Sequence, residues 1–77
     1  MVDVNVDDEK RKALIFHDKK TIIHISKKNG LWTNGFIIEV GNDFFIIKDR
    51  LTDESSIVLF SELENPIDIY KSKEMLE

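Results

Sequence analysis

The chain has 77 residues, no cysteine and a single proline, so one small domain is expected, without disulfides or thiolate-bound metal and without a Pro/Gly/Ser-rich linker. Fifteen acidic against eleven basic side chains leave a net charge of −4, which argues against a broad DNA-binding surface. No apolar run reaches the ~20 residues of a membrane span, and the acidic stretch 1–8 is unlike a signal peptide; a cytoplasmic protein is expected. With 42% apolar residues a real core can form. Closure into a barrel or self-association would add the burial that so short a chain lacks.

In chain order, Asp7 and Asp8 are placed at the cap of a segment with acids in its first turn, which suits the unpaired N–H groups and dipole of a helix start. A short helix is predicted over 8–17, with Ala13, Leu14 and Phe16 or His17 available to pack on a sheet. Residues 21–26 alternate, Thr21, Ile23 and Ile25 on one face and Ile22, His24 and Ser26 on the other, as in a half-buried strand. Lys27, Lys28, Asn29 and Gly30 form its turn, since Asn-Gly between alternating segments tolerates positive φ. Residues 31–40 form the next strand. Gly35 within it marks a bend or a close backbone approach, and the pattern shifts phase at Ile38-Glu39, the sign of a bulge.

Gly41, Asn42 and Asp43 turn the chain into Phe44, Phe45, Ile46 and Ile47, apolar on both faces. One face can line a barrel interior, and the other needs covering by the helix or by another chain. Residues 51–55 read as a polar hairpin loop. A fourth strand over 56–60 is again two-sided through Ile57, Val58, Leu59 and Phe60. Residues 61–65 fit one helical turn, and 67–70 form a fifth strand, with Pro66 where a missing N–H costs little. Residues 71–77 are expected to fray. The fold class is mainly β: an N-terminal α-helix followed by a five-stranded, strongly bent antiparallel barrel of Sm-like or SH3-like type.

Over roughly 18–70, and best over 21–49, this pattern resembles the Sm-like (LSm/Hfq-type) family of ring-forming small barrels. The residues that carry the likeness are Ile23, Ile25, Asn29-Gly30, Gly35 five positions later, Ile37, Val40, the apolar run Phe44 to Ile47, and Lys48-Asp49. The resemblance implies a ring in which the fourth strand of one subunit pairs with the fifth of the next, here through Ile57, Val58, Leu59, Phe60, Ile67, Ile69 and Tyr70. It also implies binding of short single-stranded RNA. Members of the family hold a uracil with an Asp and an Asn about the second-to-third strand turn and an Arg-Gly after the fourth strand. In this chain Gly41 and Phe45 stand at the first two positions, and Phe60-Ser61-Glu62 contains no arginine. The neighbouring Asn42 and Asp43 are the nearest substitutes.

Trp32 can stack a base, although packing against the helix, with Phe36 on the same nominal face, is the stronger reading. Positive charge is concentrated in Lys10, Arg11, Lys12, Lys19, Lys20, Lys27 and Lys28. Most of these read as solvated surface, with Lys19 and Lys20 as candidate phosphate contacts. His17 and His24 lack partners at metal-ligand spacing, the acidic pairs near 49–54 read as a solvated loop, and no metal or cofactor is expected. No nucleophile elbow, P-loop or His-Glu-x-x-His motif is present, so catalysis is not expected. The leading reading is a homo-oligomeric ring that contacts RNA through Asn42, Asp43, Trp32, Lys19 and Lys20, without DNA or membrane partners. The rivals are a barrel that has lost the nucleotide pocket and serves protein interaction, and a monomeric SH3-like adaptor.

Overall fold

The computed structural model describes residues 4–70; the tail predicted to fray lies outside them. One helix, α1 (Val6–Lys19), leads into five strands: β1 (Ile23–Ser26), β2 (Trp32–Val40), β3 (Phe44–Asp49), β4 (Ser55–Leu59) and β5 (Asp68–Ile69), with a 3-10 turn at Phe60–Glu62. The strands form one antiparallel sheet in the order β4-β3-β2-β1-β5. The helix-then-five-strand reading is borne out.

The helix is longer than predicted at both ends. Its cap is Asn5, whose side chain accepts from the Asp8 N–H at 3.1 Å, so the predicted cap residues Asp7 and Asp8 stand inside the first turn. At the other end Lys20 adopts φ 55° and donates to His17 C=O, while the Thr21 N–H reaches back to Phe16 C=O at 3.1 Å. That is a Schellman closure, formed here around a lysine instead of the usual glycine.

The β1–β2 turn follows the Asn-Gly signal: Gly30 has φ +90° and the Asn29 side chain accepts from the Leu31 N–H at 3.0 Å. The predicted bulge is present as well. Ile37 pairs with Ile47 and Glu39 with Ile46, which leaves Ile38 as the extra residue. His17 Nε2 donates to its carbonyl at 3.2 Å, so the end of α1 satisfies a group that the bulge removes from the ladder. At Gly35, a Cβ would stand 2.0 Å from the Lys48 carbonyl oxygen. Only glycine allows β2 and β3 to cross that closely.

Bending turns one face of the sheet inward. Ile23, Ile25, Ile37, Phe45, Ile47, Val58, Phe60, Leu63 and Ile67 form the core, and Ala13 closes it from the helix side. Glu9 is buried with them at 3% exposure. Its carboxylate accepts from the Ile67 N–H at 2.7 Å and lies 3.2 Å from Lys12 Nζ, which donates to the Ile67 carbonyl at 2.9 Å. Two helix side chains therefore serve the backbone of Ile67 as a strand neighbour would. Just before it, Asn65 and Pro66 shift the register against β1, from the Lys27–Leu63 bridge to the Ile23–Ile69 pair. This shift shortens β5 to two residues, against four predicted.

Among the described residues β4 and β5 each pair on one side only and form the two edges of the sheet. Beside the β4 edge the outer face is apolar. Ile57 and Leu59 are exposed and stand directly opposite Ile46 and Phe44. Gly35→Ala forces backbone against backbone and is expected to lower stability by about 3 kcal/mol, at the upper end of overpacking costs. Urea unfolding measures it, and an unchanged midpoint would contradict the close crossing.

Candidate nucleic-acid interface

The hairpin register decides what the outer face of β1 and β2 presents. Ser26 stands opposite Trp32 and His24 opposite Asn34. All four point away from the core, because Ile23 and Ile25 point into it. On the other side of β1, Asp68 of β5 is paired with His24. The three strands make the floor of an open groove of about 710 Å³.

Trp32 is its largest feature and is 64% exposed. The preferred expectation, that it packs on the helix, is corrected. Its outward position on β2 leaves the indole in solvent, whereas Phe36, four residues on, lies beside His17 and Lys20 at the helix end. The His24 ring stands 6.0 Å from the indole, centre to centre, tilted by 34°. A hydrogen bond between His24 Nδ1 and Asn34 Oδ1 fixes that ring. At the far rim Tyr70 is held by Arg50, which donates to its hydroxyl at 2.9 Å and lies 4.6 Å over its ring. Lys27 and Lys28 bring positive charge to the hairpin end, and Glu64 and Asp68 bring negative charge to the β5 side. Three unsaturated rings and two lysines can take a flat heterocycle attached to phosphate.

The other proposed contacts are placed elsewhere. Asn42 and Asp43 are exposed together in the β2–β3 turn, at the opposite end of β2 from Trp32. The Asn42 side chain accepts from Lys10 Nζ at 2.9 Å. Phe45 is fully buried, and a Cβ at Gly41 would stand 2.2 Å from the Phe44 ring. Neither position can present a side chain to a base as the chain stands. Lys19 and Lys20 are exposed where α1 ends, and Lys20 borders a second cavity of about 600 Å³ with Phe36, Ile38 and Lys48. The five residues proposed from sequence thus fall in three separate places.

Of the proposed interface residues, Val58, Phe60 and Ile67 turn their side chains into the chain's own core. Ile57, Leu59 and Ile69 are exposed, and Tyr70 is half-buried. Among the described residues no cluster of three His, Asp or Glu could hold a metal ion, and no helix is long and apolar enough to cross a membrane.

His24, Asn34 and the Arg50–Tyr70 pair were not singled out as part of this groove. Counting the hairpin register outward from Asn29-Gly30 would have placed His24 and Asn34 beside Trp32. Nothing local ties Arg50 to Tyr70. Because Trp32 is the single tryptophan, its fluorescence reports on the groove directly. Emission typical of a hydrated indole, readily quenched by iodide, is expected; a blue-shifted, iodide-resistant spectrum would place the ring in a packed interface.

No family model matches the sequence, and no curated protein matches it. Among solved structures, the crystal structure of Hfq, described as a pleiotropic translational regulator, superposes with a TM-score of 0.68 over 84% of this chain and 100% of that one, at 14% identity. The N-terminal helix followed by five antiparallel strands in one sheet matches that fold. The chain has the Sm-like fold in its Hfq-type form.

Proposed function

We propose that this chain is a ring-forming, non-catalytic Sm-like protein of the cytoplasm that binds single-stranded RNA, stacking a base on Trp32. The observation that carries the proposal is the indole itself: a large apolar ring, mostly in solvent, set beside His24 and two lysines in a preformed groove. Leaving such a ring in water has no packing rationale within one chain. The likeness to a translational regulator of the same fold supports the class of ligand.

Ring formation is supported by the two sheet edges. β4 carries exposed Ile57 and Leu59, and β5 carries exposed Ile69. Pairing β4 of one copy with β5 of the next satisfies both rows of backbone groups and covers these side chains. The groove runs to the β5 edge, so a neighbouring copy would form its outer wall.

Asn42 and Asp43 remain proposed as a second contact, at the other end of β2, and Lys19 and Lys20 as phosphate contacts beside the helix end. Their separation from Trp32 suits a strand that passes over more than one site on a ring. A second reading, a protein-interaction barrel without RNA affinity, is favoured by the net charge of −4 and by Gly41 and Phe45 at the family's base-contacting positions.

Titration with short uridine- or adenine-rich RNA, followed by Trp32 fluorescence, separates the two. The proposal expects quenching with sub-micromolar affinity at low salt and a loss of about 1–3 kcal/mol in Trp32→Ala, the usual worth of one stacked base. Lys27→Ala and Lys28→Ala should each reduce the salt slope by about 0.7 if the lysine neutralises one phosphate. No binding at low salt would overturn the RNA reading and favour the interaction barrel.

A further inference from the structure

The side of α1 that faces solvent has a pattern of its own. Glu9, Ala13 and Phe16 face the core, so at 100° per residue the opposite face is centred on Arg11, Leu14, Ile15 and Asp18. These four form a diamond with spacing i, i+3, i+4, i+7. Leu14 is 49% and Ile15 52% exposed, and Arg11 and Asp18 are exposed above and below them. An apolar pair thus stands in the middle of the solvent face, each side chain about half in water.

The diamond is self-complementary. A two-fold axis perpendicular to the helix, level with the midpoint between Leu14 and Ile15, sets the two helices antiparallel and brings the Leu14–Ile15 pair of one copy against the same pair of the other. In the same arrangement Arg11 of each copy stands level with Asp18 of the other. We propose that α1 packs antiparallel against α1 of a second copy of this chain, Leu14 and Ile15 forming the seam and two Arg11–Asp18 pairs closing its ends. Such an isologous contact is what two-fold association requires.

Arg11 is available for the exchange. Within its own chain it meets Asp8 at 3.5 Å, and both side chains are largely exposed, 76% and 62%, so water and salt leave that pair little strength. Asp7, beyond the diamond toward the helix start, meets no like charge on the partner helix, because the corresponding position lies past Lys19, where α1 ends. One helix pair buries far less than the ~1,200 Å² of a stable interface. Association of single chains is therefore weak, and it strengthens when several copies engage at once. The contact uses neither β4 nor β5, so it does not depend on ring closure.

Sedimentation velocity over a range of protein concentrations tests the pairing. A reversible twofold step in mass is expected for the wild-type chain. R11D brings Asp against Asp18, and D18R brings Arg against Arg11; each should weaken the step by about tenfold or more, since like charges then face one another. The double variant R11D/D18R restores the pairs with reversed sign and should recover it. All substituted positions are exposed, and circular dichroism checks that each variant is folded. A step unmoved by the single swaps, a double swap that fails to recover it, or no step at all would overturn the proposal. I57K separates this from the edge pairing. If rings form, I57K reduces them to chains that still pair through α1; if rings do not form, wild type and I57K show the same one-to-two step.

Discussion

Everything in this fold follows from β2 having to bend. A nine-residue strand with apolar demands on both sides cannot serve a small barrel while straight. Two devices bend it. At Gly35 the missing side chain lets β2 cross within contact of the Lys48 carbonyl, and at Ile38 one extra residue is let out of the ladder. The rest of the chain is arranged around that curve. Ile23, Ile37, Phe45 and Ile47 meet inside it, His17 takes up the carbonyl that the bulge releases, and Glu9 with Lys12 holds the segment returning toward β1. Among the described residues the curled sheet still has two unpaired edges, at β4 and β5.

What could be read from sequence was whatever a local rule controls. Asn29-Gly30 announces its turn because few residue pairs tolerate its backbone, and the change of phase at Ile38-Glu39 announces the bulge because alternation has a strict period of two. Gly35 was legible as a close approach, though not its partner. The helix end was misplaced because Lys20 adopts a left-handed conformation with no glycine to signal it. The short β5 was hidden by the register shift around Asn65 and Pro66, beside Ile67, whose N–H is bonded by Glu9 fifty-eight positions away.

The candidate site was legible in part, and the reason is physical. Trp32 stood out by residue type, but its exposure depends on which side of β2 the helix occupies, and no single segment encodes that. The groove needs Tyr70, positioned by Arg50 from the loop after β3, a contact between segments twenty residues apart. Asn42 and Asp43 are only the neighbours of the two pocket positions, which are filled here by Gly41 and the core residue Phe45. In the fold those two positions serve packing, which moves the strongest stacking surface to the other end of β2. The Sm-like fold thus persists while the chemistry it presents is set by side chains that differ.

The most direct test of the central claim, that the free edges of β4 and β5 pair between copies, is native mass spectrometry of the purified chain at low micromolar concentration. The account predicts a closed assembly: one integer multiple of the chain mass, or that multiple doubled, without a ladder of intermediate sizes. Single chains at that concentration, with at most pairs, would contradict it. The edges would then not pair between copies, and the groove beside β5 would gain no outer wall from a neighbour.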